Sequence, residues 1–297
     1  MPDGLFNPTH LQQLCKQYGL IPSRKYGQNF LINPEPIEAM IKAADLSKDD
    51  TVIEVGPGFG ALTFALAEKA EKVAAFEIEK KLGSYWDEMI KKNKNVEIVW
   101  GNVLRKFPIS NFQFPINFKV VSNLPYQITS SVIRLFLEAE NQPEVMVFML
   151  QKEVAERICA RPGDMSVLAV SVRYYADPEI VMYVPRSSFW PEPEVDSAII
   201  KIKNQKGSLH SRKAKIKNKE FDDIFFKVVK AGFANRRKML FKNLLPLVGK
   251  DKTALKKIFS EVGIAESARA QELSVDDWKK LTSLIHRFTS AKGLFVL

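Results

Sequence analysis

The stretch TVIEVGPGFGALTFAL, residues 51–66, decides the fold. A short apolar run, Thr51 to Val55, stops at Gly56, Gly58 and Gly60 and continues as ALTFALAEKA (61–70), whose apolar residues recur at helical spacing. Strand, glycine loop and helix form the unit in which a missing side chain lets a ligand approach the backbone. The bland alternative is a tight turn. The next apolar run, KVAAFEI (72–78), carries Glu77 near its end, 21 residues after Gly56, placed to bind two ribose hydroxyls. A carboxylate there is costly unless something polar pairs with it. The same residues satisfy G-x-G-x-x-A at 56, 58 and 61, so a nicotinamide-binding domain competes for the reading.

Outward from this unit, strands and helices alternate. VEIVWG (96–101), FKVVS (118–122) and EVMVFML (144–150) read as further strands, and LGSYWDEMIKKN (82–93) as a helix. Continuous apolar strands between helices predict an α/β fold with a parallel sheet covered on both faces. EIVMYV (179–184) and SAIIKIK (197–203) predict an antiparallel hairpin at the sheet edge. Residues 1–50 form a helical and irregular arm, with Pro34 and Pro36 marking a helix start and RKYGQNFLIN (24–33) read as an ordered loop. The polar, basic run KNQKGSLHSRKAKIKNKE (203–220) reads as the linker region. Beyond it FDDIFFKVVKAGF is amphipathic and three or four more helices follow, a small all-α domain. The expected division is 1–205 and 206–297.

Composition is that of a globular protein, 46% hydrophobic and 26% charged. No apolar run approaches the roughly 18 residues of a membrane span, and the first residues lack the basic and apolar regions of a signal peptide. Cys15 and Cys159 stand far apart, which suits free thiols and a cytoplasmic setting. His10, His210 and His286 are scattered, so no metal is expected. Nothing demands more than a monomer.

The charge is uneven. Residues 1–200 hold 21 Lys and Arg against 25 Asp and Glu, a balance of −4, and residues 201–297 hold 23 against 9, a balance of +14. So strong an excess over the last third predicts a polyanionic partner such as nucleic acid.

A second motif carries the chemistry. VVSNLPYQI (120–128) ends a buried strand in a neutral, rigid, aromatic turn. An exocyclic adenine amine is a poor nucleophile because its lone pair is delocalised into the ring. Acceptors at its two hydrogens favour a tetrahedral nitrogen, and the Asn123 amide oxygen and Leu124 carbonyl supply two. Pro125 fixes the turn and has no amide hydrogen, and Tyr126 offers a face for a base to stack on. The alternative is a structural turn that happens to carry a tyrosine.

Three features favour S-adenosylmethionine (SAM) over a nicotinamide cofactor. GQNFL lies upstream of the first strand, where it can cover an amino-acid moiety. GNVL (101–104) follows the third strand, where a polar side chain can bond an adenine amine. NLPY follows the fourth, at the carboxyl edge where open α/β sheets bind ligands.

GQNFL, EVGPGFGALT, GNVL, NLPYQITSSVI, FWPEPEVDSAIIKI and FANRRKMLFKNL occur in the order and spacing of the KsgA family, the small-subunit rRNA adenine dimethyltransferases, over roughly residues 20–290. The resemblance implies a Rossmann-like methyltransferase domain with a small helical C-terminal domain. It also implies SAM-dependent conversion of two adjacent adenosines near the 3′ end of 16S rRNA to N6,N6-dimethyladenosine. Gln28, Asn29 and Leu31 would then contact SAM, Gly56 and Gly58 would line its amino-acid end, and Glu77 would bind its ribose. Asn123 would orient the target amine, with Tyr126 and Phe189 as opposite walls of the base pocket. Taken alone, Phe189 and Trp190 read as core aromatics. Arg236, Arg237 and Lys238 would contact rRNA phosphates, the bland reading being a solvated basic helix start. One residue departs: the family usually has Asp where this chain has Asn102, which keeps an oxygen for the SAM adenine amine but no charge. The related Erm 23S rRNA methyltransferases tend to have isoleucine where Leu124 stands, which favours a small-subunit substrate. Two rivals are a ribosome-assembly factor with little or no methylation and an NAD-dependent oxidoreductase.

Overall fold

The computed structural model describes residues 4–22, 28–107, 117–204, 212–235 and 237–293. In chain order the elements are α1 (Pro8–Gln17), β1 (Phe30–Leu31), α2 (Glu35–Ala44), β2 (Thr51–Val55), α3 (Ala61–Ala67), β3 (Lys72–Glu77), α4 (Gly83–Lys92), β4 (Val96–Trp100), α5 (Val103–Lys106), β5 (Lys119–Asn123), α6 (Thr129–Leu137) and β6 (Val145–Gln151). Then come α7 (Lys152–Cys159), α8 (Val167–Tyr175), β7 (Ala176–Val184), β8 (Phe189–Trp190), β9 (Ser197–Asn204), α9 (Arg212–Gly232), α10 (Leu240–Leu244), α11 (Lys252–Val262) and α12 (Val275–Ala291).

Seven strands form one sheet in the order β4-β3-β2-β5-β6-β9-β7, and β1 and β8 form a separate two-stranded ladder. β4 through β6 run parallel, while β9 pairs antiparallel with both β6 and β7. Every sheet strand read from the sequence is present, including the antiparallel edge pair. Neighbours Val120 and Val121, and Phe148 and Met149, are all fully buried. Side chains alternate across a strand, so both faces must be covered.

The order matters for the cofactor. A dinucleotide-binding sheet is parallel in the order 3-2-1-4-5-6. Here, counting sheet strands along the chain, the order is 3-2-1-4-5-7-6, with the last strand inserted antiparallel. The strand order reverses between the parallel neighbours β2 and β5, so the glycine loop after β2 and the Asn123 turn after β5 flank one crevice.

By its contacts the chain divides into two units, Met1–Glu156 with Ala176–Ser208, and Arg157–Tyr175 with Leu209–Leu297. The second differs from a single cut at 205 because Met165, Ala169 and Val170, at and before α8, bury themselves with Phe225, Val228, Trp278 and Ile285 in one apolar core. The linker region read over 203–220 is also shorter than expected. β9 extends through Asn204 and α9 begins at Arg212. The Lys-rich run from 212 has the intrinsic preference of a helix, and polarity alone does not make a linker.

Candidate cofactor and adenine site

A cavity of about 280 Å³ in the first unit is lined by the glycine loop (Gly56, Pro57, Gly58, Phe59), by Glu54, Glu77 and Ile78, by Gln28, Asn29, Phe30 and Leu31, and by Asn123 and Pro125. Leu5, Leu11 and Leu20 of the N-terminal arm close one side, and Lys81 Nζ ties the arm down by donating to the Gly19 carbonyl at 3.0 Å.

The loop is built for glycine. Gly56, Gly58 and Gly60 all adopt positive φ (77°, 55° and 86°), which side chains disfavour. A Cβ on Gly60 would lie 2.5 Å from the Phe64 ring and 2.8 Å from the Trp86 ring. α4 holds the loop from behind: Trp86 Nε1 donates to the Gly58 carbonyl at 3.1 Å and the Tyr85 hydroxyl to the Phe59 carbonyl at 2.7 Å.

Glu77 has the polar partners its position demands. Its Oε1 accepts from the backbone N–H of Ile78 (2.6 Å) and Glu79 (2.7 Å), and its Oε2 from that of Gly58 (3.2 Å). Burial still outweighs these bonds and holds its pKa above the usual carboxylate value. Of about four acceptor positions on the two oxygens, three are taken by these N–H groups, which leaves one, on Oε2, for a further hydroxyl.

Glu54 was not among the sequence-predicted site residues, although an acid within TVIEV just before the glycines was a readable signal. It is fully enclosed, and Oε2 finds no hydrogen-bond partner. Burial pushes its pKa up to about 8. The nearby Thr63 hydroxyl, itself without a bond of normal geometry, pulls the other way, and the Glu77 charge adds to the rise. A lone buried carboxyl facing a cavity is suited to a cation.

At the crevice, Ser122 joins the two strands where their ladder ends. Its Oγ donates to the Val55 carbonyl (2.7 Å) and accepts from the Val55 N–H (3.3 Å). Asn123 follows, lining the cavity, and no described residue hydrogen-bonds its side-chain amide. Leu124 turns its side chain into the core, and its N–H donates to the Met149 carbonyl at 3.0 Å. Pro125 packs 3.7 Å from where a Cβ on Gly56 would lie. Tyr126 is half-buried, with its hydroxyl 3.2 Å from Ser197 Oγ, and burial raises its pKa.

Four predicted residues stand outside this group. Phe189 is 3% exposed and belongs to the core, paired in register with Leu31, so its ring offers no open face in this conformation. Asn102 is exposed and its Oδ1 caps α5, accepting from the Leu104 N–H at 2.9 Å. Arg237 and Lys238 lie exposed in the second unit, in a turn held by Asn243 Nδ2, which donates to the Gly232 (2.6 Å) and Asn235 (3.2 Å) carbonyls. Arg236 falls outside the described residues. Among the described residues no helix is long and apolar enough to cross a membrane, and no group of three or more His, Cys, Asp or Glu is placed to hold a metal ion.

An α/β sheet with an inserted antiparallel strand, a glycine loop facing a ribose-type carboxylate and a lone carboxyl suited to an ammonium define a Rossmann-like, SAM-dependent methyltransferase. The antiparallel insertion removes the oxidoreductase reading. The profile of the ribosomal RNA adenine dimethylases matches residues 22–287, and the chain belongs to that family. The ribosomal RNA small subunit methyltransferase A of Dehalococcoides mccartyi is 41% identical over 270 residues, 91% of this chain and 90% of that protein. The protein of the same name from Listeria welshimeri is 35% identical over 98% of this chain and all of its own. Among solved structures, a dimethyladenosine transferase from Plasmodium falciparum superposes with a TM-score of 0.72 at 26% identity, covering 90% of this chain and 99% of its own. The 23S rRNA methyltransferase ErmE superposes at 0.67, also at 26% identity, covering 87% and 100%.

Proposed function

We propose that this enzyme dimethylates the N6 amines of two adjacent adenosines near the 3′ end of 16S rRNA in the small ribosomal subunit, acting in the cytoplasm. The observation that carries the reading is the Asn123 amide, without a partner among the described residues, in one cavity with the glycine loop and Glu77. The family relationship and the names of the relatives support the substrate.

Gln28, Asn29 and Leu31 would hold SAM from the N-terminal side and Gly56 and Gly58 at its amino-acid end. Glu54 would accept from its ammonium, Glu77 from a ribose hydroxyl through its remaining acceptor position and Asn102 from its adenine amine. SAM supplies a methyl group already activated on a sulfonium. The Asn123 oxygen and the Leu124 carbonyl accept from the target amine and turn its lone pair toward the cavity. Pro125 aims that carbonyl, and Tyr126 stacks against the extruded base. Phe189 can form the opposite wall only after its strand shifts enough to uncover the ring. No residue has to remove a proton beforehand, because the amine becomes acidic only once it carries positive charge. Positioning is therefore most of the catalysis. Arg237 and Lys238, with Arg236, would hold rRNA phosphates, contacts that orient without reading sequence.

The test is tritiated-SAM incorporation into unmethylated small subunits, with the product nucleoside identified. Wild type should yield N6,N6-dimethyladenosine. Asn123→Ala should lose about a hundredfold or more in rate while binding SAM within a few-fold of wild type. Full turnover by that variant would remove Asn123 from the mechanism. Absence of incorporation by wild type would favour a ribosome-assembly factor.

A further inference from the structure

We infer that Phe30 is a positioning residue that links cofactor binding to target-base binding, through the ladder between β1 and β8. The inference rests on the proposed assignment of the glycine loop to SAM and of Phe189 to the base.

β1 is two residues long, too short to be held by its own hydrogen bonds. It exists because Phe30 pairs with Trp190 and Leu31 with Phe189, and because the Ile32 N–H donates to the Ser188 carbonyl at 2.9 Å. The segment that lines the cofactor cavity is thus zipped to the segment that carries Phe189.

Phe30 sits at the joint. Its ring lies 5.1 Å from the Phe59 ring in the glycine loop, and 6.4 Å from Trp190, stacked at 20°. A Cβ on Gly58 would come within 3.3 Å of its Cε1. One ring therefore bears on the loop that faces the cofactor and on the strand that faces the base. Phe30 also lines the cavity, so a bound cofactor bears on it directly. Phe189 is buried, and opening its face requires β8 to move. β8 cannot move without displacing β1 or breaking the ladder. A cofactor that sets the position of Phe30 therefore biases β8, and by linkage a base that engages Phe189 must change cofactor affinity by the same factor.

The test measures binding, using S-adenosylhomocysteine so that no chemistry intervenes. Its dissociation constant is compared with and without saturating unmethylated small subunits. Wild type should show a ratio of about fivefold or more, the lower range of ordinary allosteric coupling. Phe30→Ala should bring the ratio close to one, and Phe30→Tyr, which keeps the ring, should restore it. A loss that is merely structural weakens both measurements and leaves their ratio alone. If Phe30→Ala fails to fold, Trp190→Leu, which keeps an apolar side chain in the ladder but removes the ring stack, carries the same expectation from outside the cavity. A wild-type ratio of one, or an unchanged ratio in the variant that folds, overturns the inference. Failure of wild type to bind S-adenosylhomocysteine at all would instead strike the cofactor assignment itself.

Discussion

At the scale of single residues, Asn102 and Glu54 make the sharpest demands. The one amide oxygen of Asn102 already accepts a helix-cap bond, which leaves it a single lone pair for an adenine amine, and the other end of the amide is a donor. Asp in its place could cap with one oxygen and accept from the cofactor with the other, at a helix N-terminus that favours negative charge. Asn102→Asp should tighten SAM binding about fivefold, the worth of one hydrogen bond near 1 kcal/mol, and calorimetry would show it. An unchanged constant would place Asn102 outside the site. Glu54 predicts a pH effect. Its folded pKa of about 8 stands above its ordinary 4.5, so between those values the folded state keeps a proton that the unfolded chain releases. The stability it contributes is complete below about pH 4.5 and is lost as pH rises through 8, at up to about 1.4 kcal/mol per pH unit. Between pH 6 and 8 the unliganded wild type should lose more melting temperature than Glu54→Gln. Parallel curves would mean that Glu54 is already ionised.

At the scale of elements, the glycine loop is held from both sides. Below it, the N-terminus of α3 meets Phe64 and Trp86 so closely that Gly60→Ala must combine a left-handed backbone with a clash. That substitution should cost about 2 kcal/mol or more and show as a fall in urea midpoint at unchanged slope. Behind it, Trp86→Phe keeps most of the packing but leaves the Gly58 carbonyl without its donor. SAM affinity should fall several-fold, with a stability loss near 1 kcal/mol. If affinity holds while stability falls, α4 supports the core without shaping the loop.

At the scale of the whole molecule, charge is unevenly divided. Residues 201–297 carry a balance of +14 and the rest −4, so the part that holds the cofactor cavity is not basic overall, and the proposed phosphate contacts fall in the basic part. Binding to small subunits should weaken steeply with salt, and Arg237→Glu with Lys238→Glu should weaken it further while flattening the salt slope by about one per lost contact. SAM affinity should not change. A salt slope equal to wild type would take this turn off the rRNA.

The sequence by itself determined the sheet, its edge hairpin, the glycine loop with Glu77, and the Asn123 turn. Each is local: a strand is a buried run, a left-handed turn needs glycine, and a proline after an asparagine and leucine cannot be mistaken for a helix interior. The charge division was legible for the same reason, since it is a property of the chain before it folds. Only the tertiary structure decided the rest. The helical run beginning at Arg212 looked like linker because its polarity hid its helix propensity. Met165 and Val170 join the helical core across a gap in the chain that no window spans. Glu54 stands in the sequence as an acid just before the glycines, but only the closed sheet left one of its oxygens without a partner. Phe30 and Phe189, 159 positions apart in the numbering, met on one ladder because pairing partners are chosen by the folded sheet, and nothing in either segment names the other.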